Sequence, residues 1–194
     1  MLFRRLHLRD PKVWACCLLV AAWLFGLVSF VAADGHFEAT LPRQRKEPRG
    51  LHNLALWPSG PTVRASSYFA DWTSHHHPLF LVDGREHPDL VEKWASAETD
   101  RRPWLEIRWR EEHDLERVVI QHAGMLENSG FTVRRYGVRC LLASGPGPRL
   151  DVEANEAPIA THELVCPRAR GIRIDFVRNG NDLVRIYEVE AWGR

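Results

Sequence analysis

From Trp14 to Ala33 the chain runs twenty residues without one charged side chain, WACCLLVAAWLFGLVSFVAA. Nothing else in the sequence narrows its architecture as much. A helix crossing about 30 Å of hydrocarbon needs about 20 apolar residues, whereas a soluble helix of that length carries a polar face. Residues 1–13 hold Arg4, Arg5, Arg9 and Lys12 against Asp10, a net of +3, and such a basic flank stays in the cytoplasm. The expectation is a single-pass membrane protein: a cytoplasmic flank (1–13), a transmembrane signal-anchor helix (14–33), and everything beyond on the periplasmic or extracellular side. The alternative is secretion after cleavage at Ala33, because Val31-Ala32-Ala33 has the small-residue pattern of a signal-peptide site. Length favours the anchor, since signal h-regions run about 7–15 residues. Cys16 and Cys17 sit near the cytoplasmic end of the run, where packing or lipid contact accounts for them.

Residues 34–50 end in RQRKEPRG, with Pro42 and Pro48 barring a helix. They read as a solvated linker. Residues 51–194 carry 18 basic and 21 acidic side chains, a net of −3. The whole chain is near balance, 26 against 25, so no general basic field calls for a nucleic acid partner.

Within 51–194 the apolar residues alternate. In WLEIRWR (104–110) Leu105, Ile107 and Trp109 share a face, and in GIRIDFV (171–177) Ile172, Ile174 and Phe176 do. Residues 62–69, 116–122, 136–143, 159–166 and 184–192 are further candidate strands. SGPGP (144–148), RNGND (178–182), ENSG (127–130), VDG (82–84) and Glu111-Glu112 read as turns, and one short helical turn fits Pro78–Val82. No helical period is sustained past the anchor. Seven or eight short strands predict an all-β, two-sheet sandwich.

The segments NLALWPSGPTVRASS (53–67), LVDG (81–84), KWAS (93–96), PWLEIRW (103–109), LERVVIQ (115–121), GIRIDFV (171–177) and YEVEAWG (187–193), in this order, resemble the discoidin or coagulation-factor type C domain of the galactose-binding-like jelly-roll group. The resemblance covers essentially all of 53–193. It implies an eight-stranded antiparallel jelly roll and a role in binding, commonly of glycans and sometimes of lipid headgroups or proteins. It also implies a binding surface on loops at one end, including 68–78. Trp94, Trp104 and Trp192 match core or chain-closing positions, while Trp57 stands where a small residue is usual. Carbohydrate-binding relatives often hold a structural Ca²⁺ beside the Asp-Gly motif, and Asp83 and Glu188 match its two carboxylates. Lys93 departs from that pattern, standing where a threonine ligand is frequent, and can supply the positive charge itself.

The loop SSYFADWTSHHHP (66–78) has the composition of a sugar-binding rim. Tyr68 and Trp72 offer planes for sugar C–H faces, and His75, His76 and His77 offer polar partners, with Arg64 or Arg85 as charged ones. Adjacent histidines diverge in extended chain, so the three do not make one metal site. Met125-Leu126 is a short candidate for a membrane-touching spike. HExxH, GxSxG, Walker and CxxC motifs are absent from the sequence, which leaves a hydrolase as the minority reading. The leading expectation is a membrane-anchored module that binds an envelope or matrix glycan. The alternative is a module docking a protein partner in an envelope complex. Cys140 and Cys166, the two cysteines of 51–194, either pair in the oxidising compartment or remain two buried thiols.

Overall fold

The computed structural model describes residues 48–56, 60–70, 76–85 and 92–194. The segments 1–13 and 14–33, the linker up to residue 47, Trp57, Trp72 and His75 lie outside the described residues. No helix among those described is long and apolar enough to cross a membrane.

Eight strands form: β1 (His52–Asn53), β2 (Thr62–Ala65), β3 (Trp94–Ala95), β4 (Trp104–His122), β5 (Arg135–Leu142), β6 (Gly145–Val152), β7 (Ile159–Val177) and β8 (Arg185–Gly193). All pair antiparallel in the order β1-β8-β4-β7-β5-β6, with β2 added on β4 and β3 on β8. The two 19-residue strands β4 and β7 make this a sandwich. Their mutual register breaks between Arg108 and Arg117. The first half of β4 lies between β2 and the second half of β7, which continues to β5 and β6. The second half of β4 lies between β8 and the first half of β7. Each long strand thus bends from one sheet into the other.

The bend has local causes. Residues 110–114, REEHD, offer the core no apolar side chain, and the chain there is free to bulge. On β7, Arg168 takes a positive φ of 56° and donates its backbone N–H to Asp114 Oδ1 at 3.0 Å. Trp109 seals the corner, donating Nε1–H to the Ala169 carbonyl at 2.7 Å. The expected turn at Glu111-Glu112 is therefore continuous strand, as is the link between 159–166 and 171–177. Exposed charges can stay in a bulged ladder without breaking it. The predicted SGPGP turn is likewise corrected: reversal takes only Ala143 and Ser144, and Gly145 already begins β6. Pro146 and Pro148 are tolerated because β6 is an edge strand.

The alternating residues fill the core as the pattern implies. Leu105, Ile107, Ile172, Ile174, Phe176 and Trp94 pack in one cluster, while Trp192 closes over Leu51 and Val119 beside the chain ends. The helical turn expected near Pro78 is a 3-10 turn, Pro78–Leu81, capped by His77 Nδ1 accepting from the Leu79 N–H at 3.2 Å.

Candidate functional site

The nine residues of β8 separate two ends of the sandwich by about 27 Å. At one end His52 pairs with Gly193, so the chain enters and leaves there. At the other end lie the loops after β2, β4, β6 and β7.

The loop after β2 is bolted down at its root. Ser66 and Ser67 donate their hydroxyls to Asp100 Oδ2 at 2.5 and 2.6 Å. Partial burial pushes the Asp100 carboxyl up, but these donors, the Arg102 N–H and the Arg178 charge outweigh it and hold the group below its ordinary value. Trp94 Nε1–H donates to the Ser67 carbonyl at 2.9 Å, and the Phe69 N–H to that of Ala95 at 2.8 Å. From this fixed root Tyr68 stands 47% exposed. Its ring is tilted against His77 at 5.5 Å, and Phe69 meets His76 edge-on at 5.6 Å. With Nδ1 of His77 accepting from Leu79, the neutral ring keeps Nε2–H as a donor.

The facing loops are equally set. Arg178 donates to the carbonyls of Glu98 (2.8 Å), Asp100 (3.0 Å), Asp182 (2.7 Å) and Asn181. Asn179 Nδ2 donates to the Gly130 and Thr132 carbonyls at 3.2 and 2.8 Å. Asn155 Nδ2 donates to those of Val133 and Ala157, both at 3.0 Å. Between these loops opens a cleft of about 760 Å³ bordered by Ser129, Arg134, Glu156 and Asn179. Its walls are held by side-chain-to-backbone bonds, so a ligand would meet a preformed shape.

Tyr68, His76 and His77 are thus brought together, whereas the other expected rim residues are spread. Arg64 projects from β2 opposite Glu106, on the outer face of the five-stranded sheet. Arg85 is exposed in the turn after Gly84, its N–H donating to Asp83 Oδ1 at 2.9 Å. Trp72 and His75 fall outside the described residues. The loop-locking asparagines and Arg178 escaped sequence reasoning, because their roles depend on which loops become neighbours.

Glu188 is buried on β8 and accepts the Gly84 N–H at 3.2 Å, so the two candidate cation ligands flank one Asp-Gly turn. Ca²⁺ takes about six to eight oxygens, and among the described residues no third His, Cys, Asp or Glu completes a cluster with them. Buried Lys93 forms an ion pair with Glu127 at 3.1 Å and lies 5.4 Å from the Tyr187 ring centre. Leu126 of the candidate spike is 41% exposed.

No family model and no curated protein matches the chain. Solved structures do match. The chain is similar to chitosan-binding module 1 of a chitosanase/glucanase from Paenibacillus sp. IK-5, at 21% identity over 73% of this chain and 99% of that one, with a TM-score of 0.57. It is similar to a fucose-binding module from Streptococcus pneumoniae, at 17% identity over 77% and 100%, with a TM-score of 0.60. The family 32 carbohydrate-binding module of Streptococcus pneumoniae EndoD matches at 19% identity over 74% and 100%, with a TM-score of 0.56. The chain shares the jelly-roll fold of these carbohydrate-binding modules.

Proposed function

We propose that the protein is a non-catalytic glycan-binding module of the discoidin type, exported and held at the membrane by residues 14–33. The observation that carries this reading is the exposed Tyr68 plane beside His77, on a rigidly rooted loop at the end of the sandwich opposite the chain ends. An aromatic plane takes a sugar's C–H face while neighbouring imidazole and amide groups take its hydroxyls. The match to modules that bind chitosan and fucose supports the same ligand class here. Single-site affinity for a neutral sugar is weak, since water competes for each hydroxyl. Many tethered copies on one polymer would offset that weakness.

The test is a glycan array on the full-length protein, followed by titration of the best ligand against Tyr68→Ala and His77→Ala. Tyr68→Ala should lower affinity about tenfold, the equivalent of about 1.4 kcal/mol, with an unchanged melt. Selective binding that survives both substitutions would remove the rim from this reading. Absence of any saturable glycan signal would favour a protein-docking module. Carbonate washing tests the anchor: the chain should stay in the membrane, and a soluble form beginning at Asp34 would show cleavage instead.

A further inference from the structure

The outer face of the five-stranded sheet carries a cross-strand row that the loop-end reading does not use. Register sets Arg64 of β2 opposite Glu106 of β4, and Glu106 opposite Arg173 of β7. Arg173 in turn stands opposite Arg139 of β5, and Arg139 opposite Arg149 of β6. Four of these five residues are arginines, and three are consecutive. Like charges directly opposed destabilise a sheet, so folding alone disfavours the arrangement. Carboxylates in adjoining rows relieve its flanks: Arg149 pairs with Asp151 (2.7 Å) and Asp175 (3.2 Å), and Arg173 with Asp175 (2.9 Å) and Glu106 (3.8 Å). Arg139, between them, has no carboxylate partner among the described residues.

Two concavities flank the row. One of about 700 Å³ is bordered by Trp104, Gly137, Arg149, Arg173 and Asp175. The other, about 470 Å³, is bordered by Arg108, Arg139, Leu142, Pro146 and Arg173. Arg173 borders both, so the row forms the ridge between two grooves. Gly137 permits the arrangement: a Cβ there would come within 2.1 Å of Arg149 Nη2, so its absence lets Arg149 lie across β5 to Asp175. Arg173 is held in turn by its stack on Trp104, 4.2 Å from the ring centre.

We propose that this face is a second binding site, separate from the loop end, and that its ligand is an acidic polysaccharide. Arginine forks match carboxylate and sulfate geometry. Arg173 and Arg149 lie two strand spacings apart, about 10 Å, a separation on the scale of a disaccharide. The interleaved Glu106, Asp151 and Asp175 would repel a continuous polyanion or an anionic bilayer, yet they can accept hydroxyl donors from a sugar chain whose acid groups are spaced. The surrounding domain carries a net charge of −3, so the patch is local rather than a share of a basic protein.

The experiment titrates the full-length protein with hyaluronan and unsulfated chondroitin oligosaccharides, which carry one carboxylate per disaccharide, at low and high salt. Saturable binding that weakens with salt is expected. Arg139→Glu places a carboxylate between Arg173 and Arg149, so it should cut affinity about tenfold or more while leaving the melting temperature unchanged or raised. Arg64→Gln, an exposed change at the far end of the row, should weaken binding several-fold and provides a second variant. Tyr68→Ala should leave acidic-polymer binding intact, so the two sites stand or fall separately. The proposal is overturned if the wild type binds neither polymer, if Arg139→Glu binds as tightly, or if single-stranded DNA or phosphatidylserine vesicles bind equally well.

Discussion

Cys140 of β5 is disulfide-bonded to Cys166 in the first half of β7, so the bridge crosses from one sheet of the sandwich to the other. Both residues are fully buried and stand 26 apart in sequence. Closing that loop constrains the unfolded chain by about 3 kcal/mol in the entropic account. The double change to alanine should lower the urea midpoint by a corresponding amount. The denatured, unreduced full-length chain should show no more than two titratable thiols, those of Cys16 and Cys17. Four would mean that no bridge forms.

Acid should destabilise the domain well before its carboxylates titrate. His122 is fully buried beneath the loop end, with Nε2 3.3 Å from the Asn155 amide and its ring centre 5.6 Å from that of Tyr136. Burial, with a smaller push from the His162 charge, drives its pKa from the ordinary 6.5 down to about 4. The folded protein therefore refuses a proton that the unfolded chain accepts below about pH 6.5. Stability is fully present above that pH and falls until about pH 4, by an amount approaching 3 kcal/mol. Burial also lowers the half-buried His162, adding loss in the same direction. A pH series of urea denaturations on His122→Phe should lose most of this slope, and a slope like that of the wild type would assign it elsewhere.

Much of this fold was legible because one face of each strand is buried. Leu105, Ile107, Ile172 and Ile174 alternate with charged neighbours, and period-two burial follows from the pleat. The bends were not legible. Glu111-Glu112 looks like a turn by composition, and only the approach of Arg168 to Asp114 and Glu112 shows that the strand continues through it. Of the candidate rim, the nearness of Tyr68 to His77 was readable from their place in one short loop. The arginine row was not, because Arg64, Arg139, Arg149 and Arg173 become neighbours only through register between distant strands.

A cation at the Asp-Gly turn is tested through the melt. Asp83 and Glu188 flank the turn, no third His, Cys, Asp or Glu groups with them among the described residues, and the buried Lys93 pairs with Glu127 at 3.1 Å. Ca²⁺ at about 1 mM, the range of extracellular modules, should raise the melting temperature, and chelator should reverse the rise. Lys93→Thr should tighten Ca²⁺ binding, by removing a cation and adding an oxygen. A melt indifferent to Ca²⁺ in both proteins would leave Lys93 as the resident charge of the wild-type turn.

Two glycines of the five-stranded sheet should respond to alanine in opposite ways. At Gly171 an added Cβ would lie 2.4 Å from the Ile107 carbonyl oxygen and 3.1 Å from the Arg108 Cα. Those atoms belong to the backbone of β4 at its bend, so the clash is relieved only by moving a central strand. Overpacking of this kind costs about 1–3 kcal/mol, occasionally more, and Gly171→Ala should sit at or above the top of that range. At Gly137 the crowded atoms are the guanidinium of Arg149 and a carboxylate oxygen of Asp151, both ends of flexible side chains. Arg149 can swing outward, losing half-exposed ion pairs worth about 1 kcal/mol or less. Gly137→Ala should therefore melt close to the wild type, while displacing the arginine that reaches Asp175. Paired thermal melts of the two variants decide the matter: equal losses would mean that Arg149 is fixed more firmly than its ion pairs imply.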